Sequence, residues 1–188
     1  MNILYGDMPT KIKVNNNIYD INYDYKNIIK TIIAFEDNEL TQGEKIYILL
    51  KNLYKDEIKS EDIEEACIKA IKFIDCGKQY SEKKKENARI YSFEQDANYI
   101  YSGITQTHNI DLEKEKNMHW WKFMSLFMDM SSECTFGELV YYRKRKAEGK
   151  LTKEEKEQYN KIKDIIELPK TSVKSKAREE FFKRFNQN

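Results

Sequence analysis

The stretch MHWWKFMSLFMDM, residues 118–130, is typical of a helix, which we expect Asp111 to cap. Apolar side chains nearly surround the axis of this helix and leave Lys122, Ser125 and Asp129 as a narrow polar strip. A helix with this pattern belongs in the middle of a core. We therefore expect the other elements of the chain to pack around it.

Apolar residues at helical spacing predict further helices on both sides of this stretch. Several of them begin with the pattern of a capping box, in which a Ser or Thr is followed three residues later by Glu or Gln. Gly77 is expected to end the third helix. The predicted starts are Thr41 with Glu44, Ser60, Ser92 with Gln95, Asp111, Thr135 with Glu138, and Thr152 with Glu155.

Residues 12–22 alternate around the Asn-rich turn 15–17, which predicts a short β-hairpin before the first helix. Only 6 Gly and 2 Pro occur in 188 residues, so turn signals are too few for a β-sandwich or barrel. The predicted fold class is mainly α. We expect a compact multi-helix bundle with a small N-terminal hairpin and a C-terminal amphipathic helix.

The predicted domain organisation is a helical body at residues 1–168 and a tail at 169–188. A polar stretch at about 78–88 lacks apolar periodicity and is predicted to be a linker within the body. Whether the segments on its two sides form one core or two stays open. In the tail, Val173, Ala177, Phe181 and Phe185 lie four residues apart among basic residues, as in a basic amphipathic helix.

Charge is balanced overall, with a net charge of +1, and charge alone names no partner. Along the chain it is uneven, because acidic residues are in excess before Arg143 and basic residues are in excess from Arg143 onward. An acidic body with a basic end suits head-to-tail contact between copies, which would build an open spiral. No apolar run is long enough to span a membrane, so we expect the protein in a cytoplasm.

The residues and motifs of the sequence favour a protein that is not an enzyme and holds no cofactor and no metal. His108 and His119 are the two histidines, and the common hydrolase, P-loop and dinucleotide motifs are absent from the sequence. His119 is interpreted as a structural, hydrogen-bonded residue. Glu94 and Asp96 are interpreted as surface charges near a helix start. The three cysteines have no spacing typical of a zinc site or a disulfide framework.

The run from Arg89 to Met130 resembles a phage family known as gene product fifteen, common in siphophages and prophages of low-GC Gram-positive bacteria. The resemblance covers about residues 1–168, and its most specific part is the tryptophan segment. The matching residues are Arg89-Ile90-Tyr91-Ser92-Phe93-Glu94, Asp96-Ala97, Tyr99-Ile100-Tyr101, Ile110-Asp111-Leu112, His119-Trp120-Trp121-Lys122-Phe123 and Leu126-Phe127.

This resemblance implies a non-catalytic tail assembly chaperone that keeps the tape measure protein soluble during tail morphogenesis. Such a protein would act in the host bacterial cytoplasm, would leave as the tail tube polymerises and would be absent from the mature virion. The expected partners are the tape measure protein, further copies of the chain in an open oligomer, and the major tail protein. No membrane partner is expected, and nucleic acid is disfavoured. The alternatives are a structural tail completion or connector component and a small nucleic-acid-binding regulator.

Two groups of residues are singled out. The aromatic residues of the tail have no evident core to join and, with two neighbouring lysines, are the predicted protein-binding residues, although a tail that packs back on its own body fits equally well. These are Phe181, Phe182, Phe185, Lys174 and Lys183. The family-signature residues are expected in the core, and these are Tyr91, Phe93, Tyr101, His119, Trp120, Trp121, Phe123 and Phe127.

Overall fold

The structure is a computed structural model that describes residues 4–78 and 88–168. The fold is mainly α with one small N-terminal hairpin, as the sequence predicts. The described residues form two compact units: residues 4–78 and 117–124 make the first, and residues 88–116 and 125–168 make the second. The predicted tail helix at 169–188 and most of the predicted linker lie outside the described residues.

The first unit opens with an antiparallel hairpin of strands β1, Lys11–Val14, and β2, Asn17–Asp20. Val14 lies opposite Asn17, so the connection has two residues. Asn15 takes a φ of +48°, a left-handed conformation that Asn adopts more readily than most other residues. The helices of this unit are α1 (Tyr25–Glu36), α2 (Gln42–Leu53) and α3 (Ile63–Ile74), followed by the first residues of α5 (Trp120–Met128).

Asp62 joins the hairpin to the start of α3 and is only 1% exposed. Its carboxylate accepts hydrogen bonds from the side-chain amides of Asn15 and Asn17, at 2.8 and 2.7 Å. It also accepts one from the Tyr19 hydroxyl at 2.7 Å, which is the main reason that the pKa of Asp62 is lowered. The carboxylate therefore stays charged while it holds the hairpin in place.

α3 begins and ends slightly away from the predicted positions. A 3₁₀ turn, Ser60–Asp62, precedes its first residue, Ile63. At the other end Cys76 takes the left-handed conformation with φ +55°, and the Gly77 N–H donates to the Lys72 carbonyl at 2.8 Å. This is a Schellman motif, in which a cysteine occupies the position that glycine usually takes.

The second unit contains α4 (Ala97–His108), α6 (Thr135–Ala147), α7 (Lys153–Lys161) and α8 (Lys163–Ile166), together with the last residues of α5. An aromatic cluster lies at its centre: the Phe127 ring is 5.1 Å from the Tyr91 ring, 5.3 Å from Phe93 and 5.4 Å from Phe136, between centroids. Aromatic pairs at these separations stabilise a core beyond their area burial.

A buried ion pair between Arg143 and Asp96 holds the second unit together, with the two residues 6% and 0% exposed. The guanidinium donates to both carboxylate oxygens, at 2.7 and 2.9 Å. Its remaining N–H groups donate to the carbonyls of Ile90, Ile165 and Ile166, so all five donors are used. The interpretation of Asp96 as a surface charge is therefore wrong, and Arg143 is not part of the exposed basic end.

Two of the predicted capping boxes are confirmed. Thr41 accepts from the Glu44 N–H at 3.3 Å, and the Glu44 carboxylate accepts from the Thr41 N–H at 2.7 Å. Thr152 and Glu155 make the same pair of bonds, at 3.2 and 2.8 Å. These boxes satisfy backbone N–H groups that the first helical turn leaves without partners.

The start predicted at Ser92 is wrong, since α4 begins at Ala97. The Ser92 hydroxyl does accept from the Gln95 N–H, at 3.2 Å, but the bond closes a turn. The Asp96 carboxylate accepts from the Ser92 N–H at 2.9 Å, so the buried acid fixes the turn ahead of the helix.

The cap of α6 also differs from the prediction, because Cys134 takes the role assigned to Thr135. The Cys134 sulfur accepts from the Gly137 N–H at 3.4 Å. Gly137 is required by the close approach of the preceding turn, since a Cβ atom there would lie 2.6 Å from the Ser131 carbonyl oxygen.

The predicted helix start at Asp111 is wrong as well, because residues just after it form a turn and α5 begins at Trp120. His119 pairs with Asp24 in an antiparallel β-bridge, which keeps the backbone extended up to that point. The apolar surface of α5 is also narrower than predicted, since its last residue, Met128, is 67% exposed.

Replacing Arg143 by Ala is expected to lower the free energy of unfolding by about 3–5 kcal/mol, because it leaves the Asp96 carboxylate buried without its partner. Lys144→Ala is the matched control, since Lys144 is exposed and adjacent in sequence; it should change stability by less than about 0.5 kcal/mol. Urea denaturation monitored by circular dichroism measures both. Equal, small effects for the two variants would contradict the role given to the pair.

Candidate protein-binding surfaces

The tryptophan segment closes the C-terminal end of α3. The Trp120 indole N–H donates to the Ile74 carbonyl and the Trp121 indole N–H donates to the Phe73 carbonyl, both at 2.8 Å. These carbonyls belong to the last turn of the helix, where no backbone N–H within the helix reaches them. Both indoles are buried, so the polar atom of each tryptophan is used inside the fold.

His119 caps α5 and holds the N-terminal segment. Its Nδ1 accepts from the Trp121 N–H at 3.0 Å, so the proton of the neutral ring is on Nε2, which donates to the Pro9 carbonyl at 3.0 Å. The ring stacks on Tyr23 with 5.1 Å between centroids. Burial lowers the pKa of His119 from its ordinary value of 6.5, and the hydrogen bond to Pro9 opposes this only in part. The neutral ring has both nitrogens engaged.

The remaining signature residues differ in how far their side chains are exposed. Phe93, Phe123 and Phe127 are buried, and Phe123 stacks on Tyr25 at 4.6 Å. Tyr91 is partly buried.

Tyr101 is 40% exposed, so its expected core position is wrong. Its hydroxyl donates to the Asp111 carboxylate at 2.9 Å, a bond that raises the pKa of Tyr101 and lowers that of Asp111. The partner lies ten residues along the chain, so the helical spacing of Tyr101 gave no sign of it.

Titratable residues do not gather into a metal site in the part of the chain that the structure describes, where no group of three His, Cys, Asp or Glu could hold an ion. Within residues 4–78 and 88–168, no helix is long and apolar enough to cross a membrane.

A cleft of about 370 Å³, the lysine cleft, opens between α6, α7 and α8 in the second unit. The Lys146 ammonium lies 4.4 Å from the centroid of the Tyr159 ring, and it donates to the Tyr159 hydroxyl at 2.9 Å and to Glu167 at 2.8 Å. These contacts fix one wall of the cleft. Its lining includes Lys146, Leu151, Lys156, Tyr159, Lys163 and Glu167.

Glu155 holds the two longer helices beside the cleft together. Besides its capping bonds, its carboxylate accepts from the Tyr141 hydroxyl at 2.7 Å and from the Arg145 Nε at 3.0 Å. The pKa of Glu155 is lowered, first by the backbone N–H of Thr152 and then by the Tyr141 hydroxyl. The negative charge of Glu155 therefore supports the geometry of α6 and α7.

An acidic and partly apolar strip, the acidic ridge, lies on the first unit at the start of α3. It consists of Glu61, in the 3₁₀ turn before the helix, and of Glu64 and Ile68, whose spacing of four residues places them on one face of α3. Both glutamates are exposed, and Ile68 is 38% exposed. The residues of the acidic ridge are close together in the sequence, whereas those of the lysine cleft belong to three elements that only the fold brings together.

The predicted protein-binding residues, Phe181, Phe182, Phe185, Lys174 and Lys183, lie outside the described residues.

A family model described as Bacteriophage Gp15 protein matches residues 4–168, which spans both units. No curated protein and no solved structure matches the chain.

The lowered pKa of His119 predicts a loss of stability in mild acid. Between its folded pKa and 6.5 the unfolded chain binds more protons, so this contribution is complete above pH 6.5 and is lost as the pH falls below that value. The effect is limited to about 1.4 kcal/mol per pH unit for one proton.

Denaturant titrations at several pH values compare the wild type with His119→Asn, whose amide oxygen can still cap α5 but does not titrate. The free energy of unfolding of the wild type should fall more steeply below pH 6.5. Parallel curves for the two proteins would show that His119 does not contribute.

Proposed function

The chain belongs to the bacteriophage Gp15 protein family, and from that membership we propose that it is a non-catalytic tail assembly chaperone. Its client is the tape measure protein, which it keeps soluble until the tail tube polymerises around that protein. The proposal rests on the family resemblance for the process and on the structure for the mode of action.

The observation that carries the proposed mode of action is the use of the tryptophan segment within the fold. Both indole N–H groups bond to the end of α3, and both ring nitrogens of His119 are engaged as well. The most recognisable part of the chain thus builds a scaffold. A protein organised in this way acts through its outward surfaces, as a chaperone does.

Charge-rich surfaces suit a client that must later be released. Contacts between opposite charges at a solvated rim act mainly on association rate and specificity and weaken with salt. The second unit presents exposed apolar side chains on charge-rich helices, with Tyr141 48% exposed on α6 and Ile165 46% exposed on α8. These features support reversible capture of a long helical partner.

The direct test is co-expression of the full chain with the tape measure protein of the same genome, followed by a pull-down and a comparison of solubility. We expect soluble co-purification with many copies of this protein per client. Co-expression with the major tail protein measures whether that protein is also a partner. An insoluble client with nothing co-purified would overturn the proposal.

Mass spectrometry of purified particles separates the chaperone from a structural component. We expect the protein to be absent from mature virions. Its presence there at a fixed copy number would contradict a chaperone that leaves during assembly and favour a tail completion or connector protein.

The tail residues are proposed to contact the client, so the triple variant Phe181→Ala, Phe182→Ala, Phe185→Ala should retain at least about tenfold less tape measure protein, since loss of a single anchor commonly exceeds 1.4 kcal/mol. Tyr47→Ala is the control, because it removes a 65% exposed aromatic ring elsewhere. Equal retention by both variants would reject the tail contact and leave the chaperone proposal to the co-expression result.

A further inference from the structure

The lysine cleft is a preformed depression with an excess of positive charge. Lys146 and Lys163 share the single carboxylate of Glu167, at 2.8 and 4.0 Å. Lys156 is exposed and makes no ion pair within the described residues. Among the described residues, the lining of the cleft therefore holds three lysines and one acidic side chain.

The lining of the cleft defines the chemistry of its ligand. Ammonium groups attract carboxylates, and the Lys146 ammonium is already oriented by Tyr159 and Glu167, so less side-chain entropy is lost when it binds. Leu151 and the Tyr159 ring add apolar surface. The cleft fits a short acidic segment that also carries an aliphatic side chain.

The acidic ridge on the first unit has this composition. Glu61 and Glu64 are exposed and have no ion-pair partner within residues 4–78 and 88–168, and Ile68 lies one turn after Glu64 on the same face of α3. Because ridge and cleft belong to the same chain, every copy carries both halves of a complementary contact. We propose that the lysine cleft of one copy binds the acidic ridge of a second copy.

A contact between two different surfaces is heterologous and leaves one unused surface at each end of any open assembly. Copies can therefore add one after another, and only a rotation that closes a ring stops the growth. If the proposed function holds, this is the means by which several copies cover a long client. The contact itself does not require the client.

Sedimentation velocity on the full chain alone tests the contact across protein concentration and salt. At low salt the average mass should rise with concentration above the 22.6 kDa of one chain. Near 1 M NaCl, where the screening length is about 3 Å, it should return to that of one chain.

Charge reversal in the cleft, Lys156→Glu with Lys163→Glu, should abolish the assembly at low salt. The matched control is Lys153→Glu with Lys161→Glu, which makes the same charge change on α7 outside the cleft lining and should still assemble. Thermal unfolding monitored by circular dichroism verifies that all variants are folded.

Reversal of the ridge, Glu61→Lys with Glu64→Lys, should also give single chains. An equimolar mixture of the cleft variant and the ridge variant should assemble again in alternating copies, because the intact ridge meets the intact cleft and the reversed cleft meets the reversed ridge. A chain that carries all four changes should assemble again, since its reversed surfaces are complementary.

Three results would overturn the proposal: a wild type that stays a single chain at every concentration, a control variant that fails in the same way as the cleft variant, or a mixture of the cleft and ridge variants that does not assemble. Binding of a nucleic acid oligomer that is lost in the cleft variant, with a wild type that does not self-associate, would assign the cleft to phosphate instead. In each case the co-expression test of the chaperone function remains independent.

Discussion

The carbonyl groups at the end of α3 impose the constraint on which the first unit depends. The helix ends among aromatic side chains, where an unsatisfied carbonyl is costly. The Trp120 indole satisfies the Ile74 carbonyl and the Trp121 indole satisfies the Phe73 carbonyl. The Schellman motif satisfies the Lys72 carbonyl through the Gly77 N–H and adds a second bond to the Phe73 carbonyl through the Cys76 N–H. To place both indoles, the backbone before Trp120 must be extended, and the His119 ring must both cap α5 and reach Pro9. One requirement thus fixes a helix end, a helix start and the N-terminal segment.

The second unit depends on a charge that the sequence presents as part of a basic run. Arg143, Lys144, Arg145 and Lys146 are consecutive, yet only the first is buried, where it meets Asp96 and three carbonyls. Its neighbours point elsewhere: Arg145 pairs with Glu155 at the surface, and Lys146 lines the cleft. Neighbours on a helix face different directions, so a run of like charge divides between buried and exposed positions.

Local signals in the sequence predicted the mainly α fold, the hairpin and two capping boxes, because each depends on residues a few positions apart. Contacts between residues that are far apart in the chain could not be predicted, because they leave no local pattern in the sequence. Asp96 and Arg143 are 47 residues apart, and the short spacing of Glu94 and Asp96 suggested a surface location. The start of α5 was misplaced because a β-bridge to Asp24 keeps residues before Trp120 out of the helix. The lysine cleft could not be predicted for the same reason, since its lysines come from three elements.

We propose that the tryptophan segment stabilises the fold while outward surfaces bind the client. The variants Trp120→Phe and Trp121→Phe keep an aromatic ring and remove the N–H that bonds to α3. The most direct measurement compares their free energy of unfolding with their retention of tape measure protein, at a temperature where both remain folded. We expect Trp120→Phe to lose about 1–3 kcal/mol in stability and Trp121→Phe to lose less, because the Phe73 carbonyl keeps its bond from the Cys76 N–H, with retention unchanged in both variants. Unchanged stability with loss of retention would contradict it, because the segment would then be the binding surface.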